Sequence, residues 1–225
     1  MWLSLGDGTE SAAFRSFCYL MAVIRVTARV EEAADVIRAG GVVAYPTETV
    51  YGIGALALEE SPVRKVIALK QMALKPISLA VSNFEMLRAV AHTQHVDLLD
   101  QLLPGPVTVL LQKKNVVPDL LTAGSSLVGI RLPLHPVAKR LIDFVGGPIT
   151  STSANVTGAE PAVRAEDIGI DVDCILDGGE ATLGPSTVVD LVNCKVVRRG
   201  AEYESVLDKV ERFFSARPVR DRAVE

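Results

Sequence analysis

A continuous apolar run, Gly41-Val42-Val43-Ala44, leads straight into Tyr45-Pro46-Thr47-Glu48-Thr49-Val50-Tyr51-Gly52. Apolar residues in succession, without polar alternation, mark a strand covered on both faces, so the chain needs a sheet with helices packed against it. The residues after Tyr45 cannot simply prolong that strand. Pro46 fixes one backbone angle, and Gly52 and Gly54 permit unusual ones, so a loop is expected. The loop gathers Thr47, Thr49, Glu48, Tyr45 and Tyr51 at a strand end. That concentration of hydroxyl, carboxylate and phenol groups reads as a small-molecule site.

Similar apolar runs recur along the chain. Strands are expected at 23–26, 42–45, 77–81, 107–111, 127–132, 148–152, 174–176, 187–192 and 196–198. Helices are expected at 31–39, from Ser61-Pro62 to about Lys70, after a Ser82 or Asn83 cap, at 96–103, 136–145 and 203–214. On the last of these, Tyr203, Val206, Leu207, Val210 and Phe214 share a face. Strands and helices alternate irregularly, with no linker, internal repeat or low-complexity stretch. The expected architecture is a single α/β domain, a twisted mixed sheet flanked by helices, over 21–215. The pattern sharpens at Met21, so 1–20 read as an extension that is either a translation-start artefact or a loose arm. The basic tail 216–225 carries Arg217, Arg220 and Arg222 and reads as disordered.

Composition removes several function classes. The 225-residue chain is 49% hydrophobic and 22% charged, with net charge −4, so no global field draws in nucleic acid. Aromatics at 5% argue against a stacking platform for single-stranded RNA. Cys18, Cys174 and Cys194 are scattered and form no Cys-x-x-Cys pair, which points to a reducing, cytoplasmic setting. No apolar run is long enough to span a membrane, and the N-terminus makes a poor signal peptide. His92 and His95 sit three apart on an expected helix, without the acidic or cysteine partners a zinc site needs. Gly-x-Ser-x-Gly, Gly-x-x-x-x-Gly-Lys-Ser/Thr and Gly-x-Gly-x-x-Gly motifs are all missing, so no serine elbow or common phosphate cradle is present.

Five polar clusters fall at expected strand ends or loops. They are Thr47 to Tyr51; Lys70 through Lys75-Pro76; Arg131; Ser151-Thr152-Ser153-Ala154-Asn155; and Ser186-Thr187 with Asp190 and Arg198. Open α/β sheets bind ligands beyond their strand ends, and hydroxyls with cations suit an anionic ligand such as a nucleotide or carboxylate. Each cluster also has a plainer structural reading. Hydroxyls cap helices, Lys70 can be a solvated helix-end cation, and Arg131 fits a structural ion pair as well as a ligand contact. Their coincidence favours function.

Read in order, these segments resemble the YrdC-like family, the L-threonylcarbamoyladenylate synthases. The matching stretches are Tyr45 to Gly52, Lys70 with Lys75-Pro76, Pro104-Gly105-Pro106-Val107-Thr108 and Gly129-Ile130-Arg131-Leu132-Pro133 with His135-Pro136. Thr152-Ser153-Ala154-Asn155-Val156-Thr157-Gly158, Pro185-Ser186-Thr187-Val188-Val189-Asp190 and Arg198-Arg199-Gly200 complete the set. The resemblance implies a deep basic cavity, and a reaction of L-threonine, bicarbonate or CO2 and ATP to threonylcarbamoyl-AMP and pyrophosphate. It implies that Thr47, Arg131, Ser151 and Ser186 bind threonine, and that Lys70, Lys75, Ser153, Asn155 and Arg198 contact ATP. Lys70 and Arg131 would bear most on catalysis. Mg2+ would accompany the triphosphate, with no metal ligand assigned among the side chains. Separate proteins would then transfer the threonylcarbamoyl group to tRNA. Two positions depart from the family: Met72 stands where an arginine is usual, and 77–80 lacks a histidine. The runner-up reading is a double-stranded RNA or tRNA-binding module of the same fold. A third is a carbamoyl-phosphate-using relative of hydrogenase maturation.

Overall fold

The computed structural model describes residues 25–71 and 75–215. The expectations for 1–20, for 216–225 and for Met72 lie outside the described residues. Ten strands form one sheet in the order β1-β8-β2-β3-β7-β4-β6-β5-β9-β10. They are β1 (Arg25–Thr27), β2 (Val43–Tyr45), β3 (Gly52–Gly54), β4 (Ser78–Ala80), β5 (Val107–Gln112), β6 (Leu127–Arg131), β7 (Ile149–Ser153), β8 (Cys174–Leu176), β9 (Thr187–Asp190) and β10 (Lys195–Arg198). Pairing is mixed: β1–β8, β2–β8, β4–β6 and β5–β9 run parallel and the other neighbours antiparallel.

Among the described residues six α-helices cover the two faces: α1 (Val30–Arg38), α2 (Glu60–Leu69), α3 (Phe84–Val90), α4 (Val96–Leu102), α5 (Pro136–Val145) and α6 (Tyr203–Ser215). Strand alternation divides the apolar side chains between two cores. Val42 and Ala44 join the larger core, with Val63 and Val66 of α2, Leu98 and Leu102 of α4, and Val206 and Val210 of α6. Val43 and Tyr45 turn the other way, onto Ala33, Ala34 and Ile37 of α1 and Ala138, Leu141 and Ile142 of α5. The unbroken apolar run that opens the motif is thereby explained: each of its faces meets a different helix layer.

Three local expectations change. Gly52–Gly54 is a buried strand pairing β2 on one side and β7 on the other, so the motif loop is a hairpin connection. Its glycines leave room for a ring: a Cβ at Gly52 would stand 3.1 Å from Tyr45 Cζ, and one at Gly54 3.2 Å from Tyr45 Cδ1. Helix α2 starts at Glu60, ahead of the expected Ser61 cap, with Glu59 preceding it and no side-chain cap. Pro62 tolerates this because first-turn amides have no intrahelical acceptor to lose. The His92/His95 pair is not on a helix. Helix α3 ends at Val90, Ala91 bridges to Lys113, and His92 N–H donates to Gln112 O at 2.9 Å, drawing the segment alongside β5. Asn83 does cap α3, its side chain accepting from Met86 N–H at 2.8 Å.

Candidate active site

The cavity lies over one face of the sheet where several strand ends meet, and register explains why. Ser78 of β4 pairs with Ser151 of β7, and Ala80 with Arg131 of β6. Thr108 of β5 pairs with Val188, and Val188 with Arg198 of β10. Paired residues share a face and alternate residues return to it. A largely polar row, interrupted by Val188, therefore crosses six neighbouring strands from β7 to β10 on one side, while Leu79, Val109 and Ile130 point into the larger core on the other. The cavity above this row has a volume of about 300 Å³ and is lined by Thr49, Ser78, Thr108, Arg131, Ser151, Thr152, Ser153, Ser186 and Arg198, with Pro76, Pro161 and Pro185. Gly129 keeps the floor low: a Cβ there would sit 2.5 Å from Ser78 Oγ and 3.3 Å from Thr108 Cγ2.

Arg131 is only 6% exposed. Its Nη2 donates to Glu48 Oε1 and its Nη1 to Thr49 Oγ1, both at 2.6 Å. A chain of hydroxyls extends behind it. Thr49 Oγ1 is 2.8 Å from Thr47 Oγ1, and Thr47 donates its own proton to Val50 O at 2.7 Å. The shared proton between the two threonines therefore comes from Thr49, leaving the Thr49 oxygen free to accept from Arg131. Arg131 Nε is buried without a hydrogen-bond partner. Such a donor is costly to leave unmatched, so this position is under tension in the absence of an acceptor.

Across the cavity, Ser186 Oγ lies 2.8 Å from Thr108 Oγ1 and accepts from Arg198 Nη2 at 3.1 Å. The same Nη2 donates to Ser186 O at 2.8 Å. Burial, with a smaller contribution from the Arg131 charge, pulls the Arg198 guanidinium below its ordinary proton affinity. Both guanidinium groups therefore press on the same small space. Behind the wall, Lys70 closes α2 and donates from Nζ to Ser153 O at 2.6 Å and Asn155 O at 2.9 Å. Desolvation lowers its pKa to about 8.

Of the expected residues, Arg131, Ser151, Ser153, Ser186 and Arg198 line the cavity together. Lys70 reaches it through Ser153. Thr47 is buried beneath the wall, its hydroxyl spent on the loop. The Asn155 amide nitrogen donates to Val156 O and Ala159 O, and its oxygen is buried without a partner. Lys75 is exposed and adjoins the lining residue Pro76. Sequence reasoning placed Thr49 in a candidate cluster without giving it a ligand, and missed Ser78 and Thr108 as wall residues. A hydroxyl inside an otherwise apolar strand, as in Val107-Thr108-Val109, was the available signal for Thr108.

The Sua5/YciO/YrdC family model, described as telomere recombination, matches residues 35–200. Threonylcarbamoyl-AMP synthase of Pyrococcus abyssi is 39% identical over 183 residues, covering 75% of this chain and 54% of that protein. The chain thus spans about half the length of that relative. Threonylcarbamoyl-AMP synthase of Cellvibrio japonicus is 36% identical over 185 residues, covering 76% of this chain and 95% of that protein. The crystal structure of P. abyssi Sua5 complexed with L-threonine superposes with a TM-score of 0.76 at 34% identity, covering 83% of this chain and 61% of that one.

Proposed function

The chain belongs to the Sua5/YciO/YrdC family, and from that premise we propose that it is a threonylcarbamoyl-AMP synthase. It joins L-threonine, CO2 or bicarbonate and ATP, and releases pyrophosphate. The observation that carries this reading is Arg131, buried in the wall of a hydroxyl-rich cavity with an unmatched N–H. A guanidinium so placed suits the carboxylate of an amino acid. A volume of about 300 Å³ accommodates an amino acid beside a phosphate group.

In this reading the amine of threonine adds to CO2 and loses a proton, giving a carbamate. A carbamate oxygen attacks the α-phosphorus, and the bond to the bridging oxygen breaks as pyrophosphate leaves. Arg131 holds the carboxylate, with Ser151 and Ser186 beside it. Arg198, Lys70, Lys75, Ser153 and Asn155 serve the nucleotide and offset its charge. Positioning and preorganised charge do most of the work, so no side-chain nucleophile is required. Thr47 acts from beneath the wall, by fixing Thr49. Among the described residues the lining carries no carboxylate, and no cluster of three or more His, Cys, Asp or Glu could hold a metal. Glu48 is bonded to Arg131. Mg2+ would therefore be carried by phosphate oxygens and water, not by the chain. The product would pass to separate proteins acting on tRNA.

The test is pyrophosphate release from the purified chain given ATP and bicarbonate, with and without L-threonine. Release that depends on threonine is expected. Release indifferent to threonine, or none, overturns the reading.

A further inference from the structure

We propose that Glu48 is a positioning residue: it fixes the Arg131 guanidinium at the angle needed to receive the threonine carboxylate, without touching the substrate itself. The inference rests on the synthase reading. Glu48 is outside the cavity wall, whereas Arg131 and Thr49, on either side of the contact, are on it. The Glu48 side chain is 12% exposed and the Arg131 side chain 8%, with 2.6 Å between Oε1 and Nη2.

Glu48 is held from three directions. Its second oxygen accepts from His135 N–H at 3.4 Å, and its carbonyl accepts from Leu183 N–H at 3.2 Å. The first of these contacts ties it to the turn just after β6, and the second to the stretch before β9. Its neighbour Thr49 is completely buried. Arginine has a long stem, and holding it in one rotamer costs side-chain entropy. The Glu48 and Thr49 contacts meet that cost before substrate arrives. They occupy one N–H on each terminal nitrogen and leave Nε without a partner. An arginine held this way has its free donors already aimed when a carboxylate enters, which is the physical meaning of preorganisation. Without Glu48, Arg131 keeps only the Thr49 contact, and the ligand must supply the rest of its ordering.

The test is steady-state pyrophosphate release by Glu48→Ala and Glu48→Gln, with the KM for L-threonine and the KM for ATP measured separately. Glu48→Ala should raise the KM for threonine about tenfold or more while the KM for ATP stays within about twofold. Glu48→Gln keeps an acceptor of the same length and should recover part of the loss. In an Arg131→Ala background, Glu48→Ala should add no further loss, because Glu48 acts through Arg131. If Glu48→Ala fails to fold, Thr49→Val removes the other anchor and should give the same split. A lowered melting temperature with an unchanged threonine KM, or losses that add to those of Arg131→Ala, overturns the proposal and leaves the synthase reading standing. A wild-type chain without threonine-dependent release overturns both.

Discussion

Lys70 presents an ammonium group to the carbonyls of Ser153 and Asn155, and desolvation lowers its pKa to about 8 from 10.5. Between those values the unfolded chain binds more protons than the folded one. This group therefore opposes folding below about pH 8, and stability should rise with pH through that window. A bound triphosphate reverses the preference by favouring the charged amine. Nucleotide binding should then take up a proton, and the KM for ATP should climb as pH passes about 8. Lys70→Arg stays charged throughout and should flatten that climb; pyrophosphate-release kinetics across the range check it. Arg131 gives a second prediction. Arg131→Ala removes the proposed carboxylate partner of the substrate and strands Glu48, so threonine affinity should fall at least about tenfold and stability by about 3 kcal/mol. Adding Glu48→Gln should restore most of the stability and none of the affinity. Calorimetric threonine titration and urea denaturation separate the two effects.

At the level of elements, Ser186 and Arg198 are placed at the open end of the β9–β10 hairpin, where the chain entering β9 meets the chain leaving β10. Ala201 N–H donates to Pro185 O at 2.8 Å, and Thr187 Oγ1 to Ala201 O at 2.8 Å. Gly200 makes this closeness possible, since a Cβ there would lie 2.3 Å from Pro185 O and 2.5 Å from Ser186 C. The obstacle is backbone, so no rotamer relieves it. Gly200→Ala should displace Ser186 and Arg198 together, raising the KM for both substrates and costing about 2 kcal/mol. Asn83→Ala is the matching control. It deletes the α3 cap at a cost of about 1 kcal/mol and should leave kinetics unchanged, as urea midpoints and pyrophosphate release would report. These elements also divide what the sequence makes legible from what it hides. Apolar runs expose β5, β6 and β8, and Gly146 beyond Val145 with Pro136 at its start delimits α5. Gly-Ile-Gly hides β3, because glycine carries no strand signal and the pairing that makes it a strand lies with Thr152 and Ser153. The site residues were visible as clusters, but their shared face was not. That face depends on the register of β7, β4, β6, β5, β9 and β10, which no local pattern encodes. The Glu48–Arg131 contact, spanning 83 positions, is hidden for the same reason.

At the scale of the whole molecule, the described residues offer little to a polyanion outside the cavity. Many of its surface cations are interleaved with acids: Arg25 and Arg29 with Glu32, Arg64 with Glu60, Arg140 with Glu31, Arg164 with Glu180, Arg199 with Glu204 and Arg212 with Asp208. With a net charge of −4, this arrangement disperses positive potential instead of concentrating it, and it weighs against the RNA-binding alternative. The cavity behaves differently. Its wall draws on the 46–51 connection and on β4 to β7 and β10, so it exists only when these distant parts of the chain have come together in the sheet. A ligand of that cavity binds the folded chain alone and must stabilise it by mass action, by about 2.7 kcal/mol at a hundred times its Kd. For a chain of this size that is a rise of about 5–10 °C in Tm. Thermal unfolding with saturating L-threonine and a non-hydrolysable ATP analogue should show it, and duplex RNA at the same ionic strength should not. The shift should shrink in Arg131→Ala for threonine and in Lys70→Gln for the nucleotide. A larger shift with RNA than with either small molecule, lost as salt is raised, would place the binding surface on the exterior and remove the cavity from the function.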